Sequence, residues 1–164
     1  LDTVDLTMEP VTNDDVATFT GHFANGAVGT FSVSRVAWNM PNAMMIDVLG
    51  TKGRASWDMA RCGEIKIDDT NSPAGLGGAR QVLVNPDFPY FARGSSMAFG
   101  GVGLTQIEQF TYQAHAFLQQ VAGVEGLPPC ASFADGYREM RITDAVARSA
   151  AANGAAVDLT GLTD

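Results

Sequence analysis

Residues 15–23 alternate in polarity. Ala17, Phe19, Gly21 and Phe23 fall on one side of an extended chain, and Val16, Thr18, Thr20 and His22 on the other. Ala24-Asn25-Gly26 follows as a turn, and alternation resumes from Ala27 to about Trp38. The faces fix the register. A two-residue Asn-Gly turn would pair Phe19 with Ser32 and Thr20 with Phe31, mixing polar with apolar. A three-residue loop, Ala24-Asn25-Gly26, pairs Phe19 with Phe31, Ala17 with Val33, Thr20 with Thr30 and Thr18 with Ser32. It requires Gly26 in the left-handed region.

Further short strands are expected at Ala43 to Leu49, Arg54 to Met59, Glu64 to Asp68 and Arg80 to Val84. Gly50-Thr51-Lys52-Gly53 turns the first of these into the second. Asp69 to Gly78, rich in Gly, Pro, Asn and Ser, reads as an exposed loop. Connections this short favour antiparallel pairing. Phe88 to Gly103 reads as a long irregular segment whose four aromatics argue against simple disorder.

The pattern then changes period. Thr105-Gln106-Ile107-Glu108 has the form of a capping box. Ile107, Phe110, Thr111, Ala114, Phe117, Leu118 and Val121 recur at helical spacing as a core-facing stripe, with Gly123 near its end. Ser132 caps a second helix with acidic Asp135 in its first turn, and Asn153-Gly154 stops it. Val157-Asp158-Leu159 reads as a short closing strand. Strands first and helices last indicate an α+β fold. The expected architecture is an open, predominantly antiparallel sheet with helices packed on one face and the other face available for oligomerisation. Phe19, Phe31 and Val33 would then pack toward Phe110, Phe117 and Val146.

Composition narrows the function classes. At 164 residues and 46% hydrophobic, the chain is long enough for one domain with a core, over residues 1–164. No apolar run approaches the ~20 residues of a bilayer span. Leu1-Asp2-Thr3-Val4-Asp5 has neither the basic nor the apolar region of a signal peptide, and the chain does not begin with Met, so a cut or processed fragment is expected. The net charge of −8, with only Lys52 and Lys66 as lysines, argues against a nucleic-acid or anionic-membrane partner. Cys62 and Cys130 have no zinc spacing. They are read as free thiols in a reducing cytoplasm, with a disulfide between them as the alternative.

The search for chemistry returns little. Gly75-Leu76-Gly77-Gly78 and Gly100-Gly101-Val102-Gly103 are glycine-rich, but neither stands between a buried parallel strand and a helix. His115 reads as a surface residue and His22 as the end of a strand. Asp14/Asp15 and Asp68/Asp69 read as solvated turn acids. Ser32 and Ser34 have no histidine nearby in sequence, so no nucleophilic triad is supported. No catalytic, cofactor-binding or metal-binding residue is assigned. Thr18, Thr20, Thr30, Ser32 and Ser34 form a face of hydroxyls beside Val28, Val36 and Trp38. It is either a solvent face or a docking face for another domain or subunit.

Five segments in order carry a family resemblance: Asn25-Gly26-Ala27-Val28-Gly29, Ser34-Arg35-Val36-Ala37, Val48-Leu49-Gly50-Thr51-Lys52-Gly53, Ser56-Trp57-Asp58 and Phe133-Ala134-Asp135-Gly136. Residues 14 to 159 resemble the C-terminal domain of the Gfo/Idh/MocA oxidoreductases, which include glucose–fructose oxidoreductase and inositol dehydrogenases. The resemblance implies an NAD(P)-dependent dehydrogenase of a sugar, inositol or related polyol. In it, the NAD or NADP belongs to a missing N-terminal Rossmann domain, and none is expected on this fragment. The family's Glu-Lys-Pro motif and its Asp/His motif are absent here, so no catalytic residue carries over. The substrate-side wall does carry over, at Ala37-Trp38-Asn39-Met40 and in the loop from Arg93 to Gly100. Trp38, Asn39, Arg93 and Phe99 are the substrate-wall candidates. Thr18, Thr20, Thr30, Ser32 and Ser34 are the homo-oligomer candidates. The alternative is a stand-alone, non-catalytic binding or assembly module of the same fold.

Overall fold

The hairpin forms in the register that its two faces demand. In the computed structural model, which describes residues 9–71, 73, 75–94, 99–101 and 104–160, β1 (Val16–His22) pairs antiparallel with β2 (Val28–Ser34). Phe19 faces Phe31, Ala17 faces Val33, Thr20 faces Thr30 and Thr18 faces Ser32. The Phe19 and Phe31 rings stack at 4.8 Å, the aromatic cross-strand pair that fixes a register. Gly26 has φ 86, and its N–H donates to the Phe23 carbonyl at 2.9 Å. The Asn25 side chain accepts from the Ala27 N–H at 3.0 Å. β2 is shorter than the alternation suggested, because its partner runs out. The last rung is the Arg35 N–H donating to the Asp15 carbonyl at 2.8 Å.

The remaining strands form a separate four-stranded antiparallel sheet in the order β3-β4-β5-β6. They are β3 (Met45–Gly50), β4 (Gly53–Asp58), β5 (Glu64–Asp69) and β6 (Arg80–Leu83). One 3-10 turn, Met59–Arg61, links β4 to β5 and is capped by the Asp58 carboxylate. The pleat sorts the side chains. Asp47, Ser56, Lys66 and Gln81 make one row across all four strands, and Ile46, Trp57, Ile65 and Val82 make a row on the opposite face. Trp57 Nε1 donates to the Cys62 carbonyl at 3.3 Å, and the Cys62 thiol donates to the Leu104 carbonyl at 2.9 Å. Both cysteines are free.

Phe88 to Gly103 is not wholly irregular. It contains α1 (Pro89–Gly94), with Pro89 at the first helical position, where its missing N–H costs nothing. Phe91 on this helix is 1% exposed, the most deeply buried large side chain among the described residues. Helix α2 (Gln106–Val121) opens on the expected capping box. Glu108 accepts from the Thr105 N–H at 2.8 Å, and the Thr105 side chain accepts from the Ile107 N–H at 3.2 Å. Helix α3 (Phe133–Ala151) opens on Ser132, whose hydroxyl accepts from the Asp135 N–H at 3.2 Å while Asp135 accepts from the Ser132 N–H at 2.8 Å. It ends at Asn153 and Gly154, with φ 54 and 83.

The described residues divide into two compact units, one from 9–40 with 142–160 and the other within 41–141. In the second, α2 corrects the sequence reading. Its buried residues are Tyr112 and Ala116, with His115 and Gln119 half-buried between them. His115 is therefore not a surface residue; its Nε2 lies 3.0 Å from the Gln119 side-chain nitrogen. Within this unit the apolar stripe is left uncovered: Ile107, Phe110, Phe117, Leu118 and Val121 are each more than half exposed. In the first unit Phe31 and Val33 are exposed as well. The closing strand is also absent. Residues 155–159 are irregular, and Asp158 instead accepts from the Thr160 N–H at 2.7 Å. No helix among the described residues is long and apolar enough to cross a membrane.

Candidate functional site

The hydroxyl face is built by the hairpin's period of two. Thr18, Thr20, Thr30, Ser32 and Ser34 share one face by register and are all exposed. Their half-buried counterparts, Ala17, Phe19 and Gly21, alternate with them. Val28 on the same side is 60% exposed, and past the end of β2 Val36 and Trp38 are 57% and 92% exposed.

Past β2 the chain makes a tight turn at Ala37-Trp38-Asn39-Met40. The Met40 N–H donates to the Ala37 carbonyl at 3.2 Å. Asn39 holds the third place with φ 63, the left-handed region that a turn of this kind demands and that Asn tolerates. Trp38 is thereby presented at the tip. Of the other two substrate-wall candidates, Phe99 is 66% exposed, and the Arg93 side chain lies outside the described residues. So do Leu1 to Asp5, Ser95 to Ala98, and Val102-Gly103. Trp38 and Asn39 belong to the first unit, and Arg93 and Phe99 to the second.

A cluster that the sequence reading missed lies on the polar face of the four-stranded sheet. Asp47, Arg54, Asp58, Arg61, Glu64 and Lys66 surround a shallow cavity of about 330 Å³. Arg61 Nη2 lies 2.7 Å from one Glu64 carboxylate oxygen and 3.0 Å from the other. At the far end of β5, Asp69 is no solvated turn acid: Arg80 donates to it at 2.6 Å. For Arg61 and Glu64 the available signal was opposite charges three residues apart, and for Arg80 and Asp69 opposite charges on neighbouring strands.

These partners set the local acidity. The Arg61 hydrogen bond holds the Glu64 carboxyl below its usual 4.5, and the Arg80 hydrogen bond holds Asp69 below 3.8. The Thr105 side chain does the same for Glu108, as do the Ser132 N–H for Asp135 and the Thr160 N–H for Asp158. All five are lowered, so the folded state favours their charged forms. That contribution is complete above the ordinary carboxyl values and is lost as pH falls through the lowered ones. The thermal midpoint should therefore hold between about pH 7 and 5 and drop below about pH 4. A midpoint that rises on acidification, followed by circular dichroism, would contradict this.

Every strand pair among the described residues is antiparallel. Gly75, Gly77 and Gly78 sit in the exposed loop after β5, where an added Cβ would meet nothing within 4 Å. A phosphate-binding turn requires close backbone approach at a helix N-terminus, and this loop has neither. Among the described residues no group of three or more His, Cys, Asp or Glu could hold a metal.

Comparison with known proteins identifies the family. Residues 3–159 match the model of the oxidoreductase family, C-terminal alpha/beta domain. The chain is 33% identical over 143 residues to levoglucosan dehydrogenase of Pseudarthrobacter phenanthrenivorans, a match covering 87% of this chain and 35% of that protein. A levoglucosan dehydrogenase structure in complex with NADH and levoglucosan superposes with a TM-score of 0.80 at 31% identity, covering 88% of this chain and 38% of that one. An oxidoreductase domain protein from Kribbella flavida gives a TM-score of 0.77 at 31% identity, over 88% and 37%. The chain thus spans little more than a third of the length of these relatives. It belongs to the Gfo/Idh/MocA oxidoreductase family, as a C-terminal alpha/beta domain.

Proposed function

We propose that this chain is the substrate-side and assembly half of an NAD(P)-dependent dehydrogenase that oxidises a sugar, inositol or related polyol. The observation that carries the reading is the match, over most of this chain, to a levoglucosan dehydrogenase whose structure holds NADH and levoglucosan. In the longer protein, a Rossmann portion would bind NAD or NADP and supply the hydride acceptor. This chain would supply the substrate wall through Trp38, Asn39, Arg93 and Phe99. The free Cys62 and Cys130 fit a reducing, cytoplasmic compartment.

The hydroxyl face of the hairpin would join copies of the chain. Thr18, Thr20, Thr30, Ser32 and Ser34 can exchange water for cross-subunit hydrogen bonds at little net cost. The neighbouring Val28 and Val36 add apolar area to the same patch. Ser32→Lys places a buried charge in such an interface. It should weaken association roughly tenfold or more while leaving the melting midpoint within a degree or two. Light scattering over a range of concentrations checks this. A wild-type chain that stays monomeric, or a variant that associates equally well, would remove the face from consideration. The redox reading is tested by assaying this chain joined to the polypeptide encoded upstream. NADH or NADPH formation with levoglucosan, a hexose or inositol supports it, and no turnover with any of them contradicts it.

A further inference from the structure

We propose that the tip of the β1–β2 hairpin is a self-modifying site, where Asn25 loses ammonia to its own main chain and becomes aspartate or isoaspartate. The Gly26 nitrogen attacks the carbonyl carbon of the Asn25 side chain. A bond forms between that nitrogen and Cγ, the Cγ–Nδ2 bond breaks, and the proton of the Gly26 nitrogen leaves with Nδ2 as ammonia. Water then opens the cyclic imide. Addition at Cγ gives aspartate on an unchanged main chain. Addition at the main-chain carbonyl gives isoaspartate, with the chain now running through the side chain. Water is the only other reactant.

The turn assists each part of that step. Asn25 Oδ1 accepts from the Ala27 N–H at 3.0 Å. A bond of this kind folds the side-chain amide back over its own peptide, bringing Cγ toward the Gly26 nitrogen. The same N–H stands at the oxygen on which negative charge develops during the attack, where a donor stabilises it. The Gly26 N–H in turn donates to the Phe23 carbonyl at 2.9 Å, which draws on the proton that must leave. Gly26 has no side chain to obstruct the ring, and even an added Cβ would meet nothing within 4 Å. Asn25 and Gly26 are both exposed to the water that completes the reaction.

The chain carries its own comparison in Asn153-Gly154, its other Asn-Gly pair, which is also exposed. There the Gly154 N–H closes the end of α3 on the Ser149 carbonyl at 2.8 Å. Among the described residues nothing donates to the Asn153 side-chain carbonyl, so the developing charge has no donor waiting for it. Access to water and the glycine are common to both pairs, and the Ala27 N–H is what sets Asn25 apart. Either product places a carboxylate at the hairpin tip, and isoaspartate also lengthens the loop's main chain by a methylene. The Phe19–Phe31 stack holds the register below the tip, so the change is confined to the loop.

Peptide mapping by mass spectrometry, on the whole chain held in warm, mildly alkaline buffer, tests this. The peptide containing Asn25 should gain about 1 Da, roughly tenfold faster than the peptide containing Asn153. In concentrated urea the two should convert at matching rates, because each is then the same dipeptide in a flexible chain. Asn25→Gln should abolish the gain on the hairpin peptide, since the longer side chain closes a larger ring more slowly. Equal rates in the folded chain overturn the proposal, because the turn would then give no assistance. So does an Asn25 preference that persists undiminished in urea, which would assign it to flanking sequence. An Asn25 that converts more slowly folded than in urea, or a gain retained in Asn25→Gln, overturns it as well.

Discussion

Phe91→Ala should destabilise the second unit by about 3 to 5 kcal/mol, the range for removing a fully buried aromatic from a core that collapses only partly. Phe91 is 1% exposed, and the buried large side chains among the described residues are few. Against a total stability of roughly 5 to 15 kcal/mol for an ordinary domain, such a loss leaves little reserve. Phe99→Ala is the matched control. That ring is 66% exposed, and its removal should cost less than about 0.5 kcal/mol. Urea denaturation of both variants reads the difference. Equal midpoints would mean that α1 contributes nothing to the core.

Gly53→Ala should cost about 3 kcal/mol for two additive reasons. Gly53 has φ 153, a conformation that L side chains rarely adopt. A Cβ there would also stand 2.2 Å from the Asp68 carbonyl oxygen and 3.0 Å from Asp69 Cα. Both are backbone atoms of β5, which pairs with β4 at this point, so they cannot swing aside. Gly50, its partner across the Thr51-Lys52 turn, offers the contrast. A Cβ at Gly50 would meet the Gly53 carbonyl oxygen at 3.6 Å, ordinary contact, and Gly50→Ala should be tolerated within about 1 kcal/mol. If the two alanine variants melt together, the close approach of β4 to β5 at Asp68 is not a constraint on the sheet.

What could be read from the residues was local. Asn25-Gly26 and the sorting of Phe19 and Phe31 from Thr18 and Thr30 fix a hairpin without knowledge of anything distant. The same holds for the caps at Thr105 and Ser132, where a side chain answers a backbone group within three residues. The faces of α2 were not legible in this way. Periodicity identifies Ile107, Phe110, Phe117, Leu118 and Val121 as one apolar stripe, but only neighbours decide whether a stripe is covered. Here Tyr112 and Ala116 are the covered residues. Tyr90 approaches Tyr112 at 6.4 Å and ties its hydroxyl to the Pro128 carbonyl at 3.1 Å, contacts that span tens of residues in sequence. Helix α1 escaped notice because six residues are too few for a period to declare itself, although Pro89 marked its start. Val157-Asp158-Leu159 resembled a strand but finds no ladder, and Asp158 instead accepts from the N–H and the hydroxyl of Thr160.

The candidate site shows the same division. Trp38 and Asn39 were singled out by family resemblance, and Thr18 through Ser34 by alternation. The left-handed Asn39 that shapes the turn was not foreseen, although Asn is among the residues that tolerate this conformation in turns. The Arg80–Asp69 pair depends on the pairing of β5 with β6, which strand propensity alone does not specify, whereas Arg61–Glu64 is local, three residues apart at the turn into β5.

The central proposal is that this chain is the substrate and assembly portion of an oxidoreductase and does not itself bind the nucleotide. Its most direct test is a fluorescence titration of NADH and NADPH against this chain alone. The account predicts no saturable change for either nucleotide up to millimolar protein-saturating concentrations, because antiparallel strands and the open Gly75–Gly78 loop provide no phosphate cradle. Saturable binding near micromolar, about 8 kcal/mol of affinity, would contradict it.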